Sequence, residues 1–382
     1  MSGSVRPASL DELRDVVADA AGSGAKLEIV GGGSKADFGA PREAMILDMT
    51  GFAGVIDYDP AELVLTCGAG TALADIQALV AGSNQMLAFE PFDYGPILGH
   101  AAGASTIGGV IGASVAGPRR LSRGGVRDHL LGFKGVSGRG EVFVGGAKVV
   151  KNVTGYDLPK IVAGSWGRLV ALAEVTLKVL PAPRAQATLA LKGLAPEAAQ
   201  RVMAAAMGST ADVAAAAYLP GAASVTLLRL EGFGPSVEAR AEALTIRTGA
   251  LALPPEEAAS LWDDVRLVRP LADAPILWRI NAPPSRACAL VAALPQADWL
   301  MDWAGGLIWL ASDALPSVIR DLAVAAGGHA TLARAPESLR AAIPALHPQP
   351  APVMALEARV RRAFDPTGVF ETARFLDGPD AD

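Results

Sequence analysis

Glycine loops at the ends of predicted strands constrain this chain more than any other feature. The chain holds 42 glycines in 382 residues, with a dense stretch between Gly99 and Gly125. A structureless connection of that length is uncommon in a compact domain unless it has a function. Glycine lets the backbone approach a ligand closely, and successive N–H groups can bind a diphosphate without many cations. The loop Gly31–Lys35, which follows a predicted strand at Lys26–Val30, therefore predicts an anion site.

A single Gly-Gly pair more often marks a tight turn than a binding loop. Here two glycine loops each carry a hydroxyl residue, Ser34 in the first and Thr106 in the second. That recurrence favours a diphosphate site over two unrelated turns.

Composition and missing motifs exclude several classes of protein. Lys and Arg number 33 against 39 Asp and Glu, and a net charge of −6 argues against a nucleic-acid partner. The two cysteines, Cys67 and Cys288, exclude a disulfide framework and a cysteine-based zinc or iron–sulfur site on this chain. The P-loop motif is absent, and Gly68–Leu73 lacks the third glycine of the Rossmann fingerprint.

No apolar run approaches the roughly 20 residues that a membrane-spanning helix needs. The first residues, Met1–Leu10, show no basic segment followed by an apolar one. We therefore expect no transmembrane segment and no signal peptide, which favours a cytoplasmic protein.

The element pattern changes near Pro181. Before it, a capping box at Ser9 and Glu12 opens the first predicted helix. After it, two series repeat the order strand, helix, strand, strand, helix, at 188–248 and at 276–326. This order predicts an α+β domain with a mostly antiparallel sheet.

Three glycine segments come in a specific order: Ile29–Ser34, Thr106–Gly109 and Gly124–Asp128. That order resembles the FAD-binding domain of the vanillyl-alcohol-oxidase/PCMH flavoprotein superfamily. Two further segments, Lys151–Lys160 and Arg361–Phe370, are similar to a family of FAD-binding subunits of bacterial glycolate oxidase. The resemblance is strong over about 5–181 and 353–371 and weak between them.

The resemblance implies an α+β fold with a PCMH-type FAD-binding domain and a cap. The FAD-binding domain would consist of two α+β subdomains, at 1–55 and 56–181. A cap domain with a mostly antiparallel sheet would span 182–345. The C-terminal helix and tail, at 346–382, would return to the FAD-binding domain.

The resemblance also implies which residues hold FAD. The pyrophosphate would lie against the two glycine loops, and other segments would line the rest of the cofactor up to its adenine end. The implied cofactor-binding residues are Gly31, Gly32, Gly33, Ser34, Lys35, Thr106, Ile107, Gly108, Gly109, Gly112, Ala113, Ser114, Arg127, Asp128, Gly155, Tyr156, Asp157, Leu169 and Val170.

Three positions depart from the pattern of this superfamily. Val30 stands where many relatives have Arg before the first loop. The segment Gly31–Gly39 contains no His or Cys for a covalent flavin link, so we expect non-covalent FAD. The paired histidines that hold metal and substrate in related 2-hydroxy-acid dehydrogenases are also missing, because His329 and His347 do not form that motif, so we expect no bound metal.

Two residues are candidates for the chemistry of the substrate. Arg279 on a predicted strand could bind a carboxylate, although an ordinary ion pair at a sheet edge is an open alternative. His329 after Gly327-Gly328 could act as a base, although a solvated or helix-capping histidine is the alternative. The bulk of Asp302-Trp303 and Trp309 favours a core or subunit interface over flavin stacking.

The resemblance implies the FAD-binding subunit of a glycolate oxidase complex. Such a complex oxidises glycolate, a small 2-hydroxy acid, to glyoxylate and passes electrons to a non-NAD acceptor. The implied partners are a second FAD-containing subunit and an iron–sulfur subunit, which fits the absence of a cysteine cluster here. The implied location is the cytoplasm, with contact to the inner membrane through the complex as an alternative.

Two other functions remain open from the sequence. One is a self-sufficient FAD-dependent 2-hydroxy-acid dehydrogenase of the D-lactate type. The other is a non-catalytic subunit that holds flavin as an electron relay or scaffold. From the sequence alone we expect the isolated chain to bind FAD but to turn over glycolate poorly.

Overall fold

The computed structural model describes residues 3–146 and 156–376, so the first half of the Lys151–Lys160 motif, including Gly155, lies outside the described residues. In chain order the helices are α1 Leu10–Ser23, α2 Leu73–Gly82, α3 Ile107–Gly112, α4 Arg120–Arg123, α5 Val126–His129, α6 Leu158–Val162, α7 Pro196–Met207, α8 Gly234–Thr248, α9 Pro255–Leu267, α10 Ala287–Ala292, α11 Pro316–Ala325, α12 Glu337–Ala342 and α13 Ala351–Phe364.

The strands form four sheets in the described ranges. They are β1 Ser4–Val5, β2 Leu27–Val30, β3 Met45–Asp48, β4 Val55–Asp59, β5 Val64–Gly68, β6 Gln85–Met86, β7 Leu130–Ser137, β8 Val142–Gly146, β9 Val170–Lys178, β10 Leu180–Pro181, β11 Ala185–Lys192, β12 Val213–Leu219, β13 Val225–Gly232, β14 Leu251–Ala252, β15 Leu277–Asn281, β16 Asp298–Asp302, β17 Leu307–Ala311 and β18 His329–Arg334.

A small parallel sheet in the order β1-β3-β2 carries the first glycine loop at the end of β2. Helix α1 packs on it with Leu13 and Val17 fully buried. The predicted capping box is present in part: Ser9 Oγ accepts from Glu12 N at 3.2 Å, while the Glu12 carboxylate accepts from Ala8 N at 2.8 Å. Gly24 ends the helix at φ 75°, a conformation that favours glycine.

A five-stranded antiparallel sheet in the order β4-β5-β9-β7-β8 follows. Helices α2 and α3 contribute to the core beside it. The dense glycine stretch is not one open loop, because α3 and α4 form within it. Thr106 Oγ1 accepts from Gly109 N at 3.4 Å and caps α3, which explains how so glycine-rich a segment becomes helical.

An eight-stranded antiparallel sheet runs in the order β14-β11-β13-β12-β16-β17-β15-β18. The two predicted series form its two halves in mirrored order, and they meet where β12 pairs with β16. The predicted α+β class with a mostly antiparallel sheet is thus confirmed. Two elements that the pattern did not predict, β14 and β18, extend the two outer edges.

The boundaries of the domains stay a prediction. The five-stranded sheet ends with β9 at Lys178, and the eight-stranded sheet begins with β11 at Ala185. We call the part built on the first sheets the N-terminal part and the part built on the eight-stranded sheet the cap. Within the described ranges, no helix combines the length and apolar character that crossing a bilayer requires.

Candidate functional site

A cavity of about 590 Å³ opens between the small parallel sheet, α3 and the tail of the chain. We call it the first cavity. Eleven of the predicted cofactor-binding residues line it: Gly31, Gly32, Gly33, Ser34, Lys35, Thr106, Gly108, Gly109, Gly112, Ala113 and Val170. The structure therefore brings the two glycine loops, which are far apart in the sequence, to one place.

The first loop packs tightly against the second. A Cβ on Gly31 would lie 2.1 Å from Thr106 Oγ1, and one on Gly32 would lie 1.8 Å from the Ala104 carbonyl oxygen. Gly33 follows at φ +79°. A side chain at Gly31 would displace the Thr106 side chain, and one at Gly32 would require the backbone at Ala104 to move, while Gly33 favours glycine by its conformation. The floor of the cavity is consequently bare backbone.

Lys35 brings a cation to this floor. Its side chain is buried, and within the described ranges its Nζ donates one hydrogen bond, to Ser34 Oγ at 3.3 Å, with no carboxylate in ion-pair range. Burial lowers the pKa of Lys35 to about 8. A buried ammonium without a counter-ion is costly, so an anionic group in the cavity would be its natural partner.

Two arginines close the outer end of the first cavity. Glu28 on β2 accepts from Arg42 at 2.7 Å and from Arg374 at 2.8 Å. Burial alone would raise the pKa of Glu28, but hydrogen bonding from Arg42 and the charges of both arginines outweigh it, and the pKa is lowered. Arg374 also donates to the Lys35 carbonyl and lies over the ring of Trp166. Through these contacts of Arg374, the tail after α13 holds the first glycine loop against β2.

The cap also reaches the first cavity, through α12. Arg340 donates to the Gly39 carbonyl at 3.0 Å, and Glu337 on the same helix lines the opening. The cavity is therefore complete only when the cap is in contact with the N-terminal part.

A second cavity of about 490 Å³ lies between the N-terminal part and the cap. Ala113 and Trp166 line both cavities, so the two meet there. Its polar and aromatic lining includes Tyr94, Ser114, Arg120, Arg266, Arg279, Asn281, Asp302, Trp303, Trp309, His329 and Thr331. This is the lining expected of a small-molecule site, apolar with a few convergent polar groups.

Arg279 lies on β15 between two neighbouring strands, so it is not at a sheet edge. Its Nη1 donates to Asn281 Oδ1 at 2.7 Å, and its guanidinium lies 5.1 Å from the ring centroid of Trp303. In the described part of the chain no carboxylate comes within ion-pair distance of it. Burial lowers its pKa from the ordinary arginine value. The predicted alternative, an edge-strand ion pair, is therefore wrong.

Two guanidinium groups, those of Arg120 and Arg279, lie over the ring of Trp303. Arg120 of α4 lies 4.4 Å from its centroid, while Trp303 Nε1 donates to the Gly117 carbonyl at 3.1 Å. Trp303 and Ala304 have φ of 52° and 55°, a strained conformation for residues with a side chain. Trp303 and Trp309 are buried, and both also line the second cavity.

Asp302 is the acidic residue that lines the second cavity. Its side chain is 3% exposed, and Oδ1 accepts from the backbone N of Trp303 at 2.7 Å. Burial raises the pKa of Asp302 to about 7, with the charge of Glu90 acting in the same direction and Arg229 and Arg279 against it.

His329 begins β18 and is exposed at the rim of the second cavity, so it does not cap a helix. Its ring lies 6.5 Å from that of His347, centroid to centroid, and His347 Nδ1 accepts from Ala330 N at 3.3 Å. Burial lowers the pKa of His329, and the charges of Arg279 and His347 lower it further. The described residues contain no cluster of three metal-binding side chains.

Several predicted cofactor-binding residues lie elsewhere. Ile107 and Leu169 are buried in the core, and Ser114 lines the second cavity instead of the first. Asp128 accepts from Gly125 N at 2.8 Å, whereas Asp157 pairs with Lys160 at 2.9 Å. Two more residues, Arg127 and Tyr156, line neither cavity, and the Tyr156 side chain is 88% exposed.

Other residues of the site were not predicted from the sequence, among them Tyr94, Arg120, Arg340 and Arg374. They come from segments far apart in the chain and carry no local motif, so only tertiary contacts identify them. Trp166, which lines the first cavity, lies between Gly164 and Gly167 in the sequence. These flanking glycines were the feature of the sequence from which its place in the site could have been predicted.

Comparison with known proteins gives relatives over the whole chain. A family model described as an FAD binding domain matches residues 1–146. The glycolate oxidase subunit GlcE of Escherichia coli is 34% identical over 369 residues, 96% of this chain and 96% of that protein. The glycolate oxidase subunit GlcD of Bacillus subtilis is 39% identical over 85 residues, which is 22% of this chain and 18% of that protein.

More distant relatives share the fold. A D-lactate dehydrogenase of Archaeoglobus fulgidus is 28% identical over 188 residues, 49% of this chain and 40% of that protein. Two crystal forms of alkyldihydroxyacetonephosphate synthase match 97% and 96% of this chain, and 76% and 75% of theirs, with TM-scores of 0.68 and 0.70. Their sequence identity is 15%, so this likeness concerns the fold alone.

Proposed function

The chain belongs to the family of the glycolate oxidase subunit GlcE, and from that premise we propose how its two cavities serve the activity. It is an FAD-dependent oxidoreductase acting on CH–OH groups and a subunit of a multi-subunit glycolate oxidase. Such a chain needs a place for the cofactor and, if it oxidises the substrate itself, a place for the substrate beside the flavin.

The first cavity would hold the diphosphate of FAD, non-covalently. Two features of this cavity suit a dianionic group. The bare backbone at Gly31 and Gly32 allows the phosphates to approach closely. The buried ammonium of Lys35 supplies hydrogen-bond donors and a positive charge. The isoalloxazine would extend past Trp166 toward the second cavity, because the two cavities meet there. When bound, FAD supplies the two-electron acceptor for oxidation of the substrate.

The second cavity would bind the small 2-hydroxy acid, and one observation carries this proposal. Arg279 is desolvated, lines the cavity and has no carboxylate partner in the described residues. A guanidinium so placed suits the carboxylate of glycolate. This observation favours oxidation on this chain, whereas the sequence led us to expect that the isolated chain turns over glycolate poorly, and bleaching of the flavin by glycolate decides between the two.

The partners would be a second FAD-containing subunit and an iron–sulfur subunit that carries electrons onward to a non-NAD acceptor. Only two cysteines occur in this chain, so iron–sulfur centres would have to be on another protein. The chain would work in the cytoplasm and reach the inner membrane through this complex.

Anaerobic mixing of the FAD-loaded full chain with glycolate tests the proposal. We expect bleaching of the flavin absorbance. In Arg279→Met the glycolate concentration for half-maximal bleaching should rise about 10- to 100-fold with FAD retained. Arg286→Met is the matched control, because Arg286 is exposed on the cap surface. Bleaching of the assembled complex without bleaching of the isolated FAD-loaded chain would support the scaffold function instead.

A further inference from the structure

Asp302 has no role in the function proposed above, yet it lies in the cavity assigned to the substrate. We propose that Asp302 is the proton acceptor for the substrate hydroxyl, an inference that rests on the proposed function. As the O–H proton passes to the Asp302 carboxylate, the C–H bond breaks and its hydrogen leaves with two electrons to the flavin. Glycolate is thereby oxidised to glyoxylate, the flavin is reduced by two electrons, and Asp302 later returns its proton to solvent.

The position of Asp302 carries the argument. It ends β16, beside β17 and directly before the strained turn at Trp303 and Ala304. Oδ1 is held by the backbone N of Trp303 at 2.7 Å, so the carboxylate is fixed in orientation. No side chain among the described residues forms an ion pair with it, so one carboxylate oxygen remains for a ligand.

Asp302 and Arg279 form a complementary pair of functions. Asp302 on β16 and Arg279 on β15 both line the second cavity, with β17 between their strands, and the charge of each acts on the pKa of the other. Arg279 would hold the carboxylate of a 2-hydroxy acid, and the hydroxyl is one carbon away from that carboxylate. A base for the hydroxyl must therefore lie near the guanidinium without forming an ion pair with it. Asp302 meets both conditions among the described residues.

The other ionisable groups of the second cavity are poorer proton acceptors. Burial raises the pKa of Tyr94 to about 12, so its phenol stays protonated at neutral pH. His329 lies at the more solvent-accessible rim, where partial desolvation and the charges of Arg279 and His347 lower its pKa. The remaining groups are the arginines Arg120, Arg266 and Arg279, which are cations.

Burial and the surrounding charges place the pKa of Asp302 near neutral pH. Burial and the charge of Glu90 oppose its ionisation, and together they outweigh the hydrogen bond from Trp303 N and the charges of Arg229 on β13 and Arg279 on β15, which favour it. The resulting pKa of about 7 suits a general base at physiological pH. The sequence predicted a core or interface role for the aromatic side chains at Trp303 and Trp309 and assigned no chemistry to the Asp302 carboxylate, because the burial of an aspartate is not visible in a sequence.

The test compares Asp302→Asn with Asp298→Asn, an exposed aspartate at the other end of β16. Asparagine keeps the acceptor for Trp303 N but cannot take a proton. With the FAD-loaded chain and saturating glycolate, flavin reduction should slow by about 100-fold or more in Asp302→Asn. Its rate should lose the rise with pH through neutrality that the wild type and Asp298→Asn show.

A second measurement does not depend on turnover. Oxalate, a two-carbon anion that cannot be dehydrogenated, would be titrated into the oxidised protein and followed by tryptophan fluorescence. Wild-type affinity should fall by about tenfold as the pH rises from about 6 to about 8, since ionised Asp302 repels the anion. Asp302→Asn should bind oxalate with little dependence on pH.

The outcomes separate the two proposals. Wild-type rates in Asp302→Asn, with the wild-type flavin bleached by glycolate, would overturn the role of Asp302 and leave the proposed function intact. No bleaching of the wild type, alone or in its complex, would overturn both. If Asp302→Asn loses FAD, Asp302→Glu decides: it should keep a pH-dependent rate, and a pH-independent one would overturn the proposal.

Discussion

Arg229 holds Glu90 by two parallel hydrogen bonds, from Nη2 to Oε2 at 2.7 Å and from Nη1 to Oε1 at 3.0 Å. Arg229 belongs to β13 of the cap, whereas Glu90 belongs to the N-terminal part, and both are largely buried. Arg119 of the N-terminal part reaches the other way, to Glu231 on β13 at 2.8 Å. This reciprocal arrangement fixes the cap over both cavities.

Removing the charge of Glu90 should destabilise the protein strongly. Burial raises the pKa of Glu90, but the charge and hydrogen bonds of Arg229, with those of Arg119, outweigh it and lower the pKa. Glu90→Gln leaves Glu231 to balance the charges of both Arg229 and Arg119, so one buried positive charge loses its partner and we expect a loss of about 3 kcal/mol in urea unfolding at neutral pH.

The matched control is Glu257→Gln, which breaks the exposed pair with Lys192 at 3.5 Å. It should cost less than about 0.5 kcal/mol. Since the lowered pKa of Glu90 makes its contribution fade in acid, the gap between the variants should narrow as the pH falls below the ordinary glutamate range. Equal losses at neutral pH would contradict a structural role for the pair.

Lys35→Met should stabilise the protein without FAD and weaken FAD binding. Burial lowers the pKa of Lys35 to about 8 from its ordinary value of 10.5, so the unfolded chain binds more protons between these values. The FAD-free wild type should therefore gain stability as the pH rises from about 8 to about 10.5. Lys35→Met should lack this rise.

FAD titrations check the second half of that prediction. The affinity of the wild type should fall as the pH rises above about 8, because the diphosphate binds the ammonium form. Lys35→Met should bind FAD at least about tenfold more weakly at neutral pH. Lys192→Met, at an exposed lysine, serves as the control, and an unchanged affinity in Lys35→Met would remove Lys35 from the diphosphate site.

Gly32→Ala should abolish FAD binding. The new Cβ would lie 1.8 Å from the Ala104 carbonyl oxygen, so the two loops that form the floor of the first cavity would have to separate. Gly22→Ala in helix α1 is the control, because a Cβ there meets nothing within 4 Å and alanine favours the helix by about 0.5–1 kcal/mol. Retention of FAD by Gly32→Ala, measured by absorbance after gel filtration, would contradict this account of the loop.

Asp302→Asn should raise stability at alkaline pH. Burial raises the pKa of Asp302 to about 7 from 3.8, so the folded state binds the extra proton between these values. Wild-type stability from this group is complete below about pH 4 and is lost as the pH rises through about 7. We expect Asp302→Asn to gain on the order of 2 kcal/mol over the wild type at about pH 8, and little at about pH 4.

Denaturant unfolding at the two pH values measures this, with Asp298→Asn as the control that should track the wild type. The same variant should thus be slower in flavin reduction yet more stable above neutrality. A variant that is less stable at both pH values would show that Asp302 holds the turn rather than a titrating proton.

Local sequence was enough to identify the glycine loops and the class of fold. The glycines at Gly31–Gly33 are locally informative, because a Cβ at Gly31 or Gly32 would collide with Thr106 or Ala104 of the second loop. The repeated order of strands and helices after Pro181 could also be predicted, because the alternation of apolar and polar residues in strands and the helical periodicity are properties of short segments. The N-terminal resemblance then connected these loops to FAD.

The second cavity, in contrast, exists only through long-range packing. Arg279, Asp302 and His329 come from three strands, and Arg120 comes from the N-terminal part, so no spacing in the sequence relates them. His329 illustrates the reason: a helix does end just before Gly327-Gly328, as predicted, but His329 does not cap it, because pairing with Asn281 makes His329 the start of an outer strand. Burial and charge at a site depend on what packs across it, and contacts between distant segments decide that.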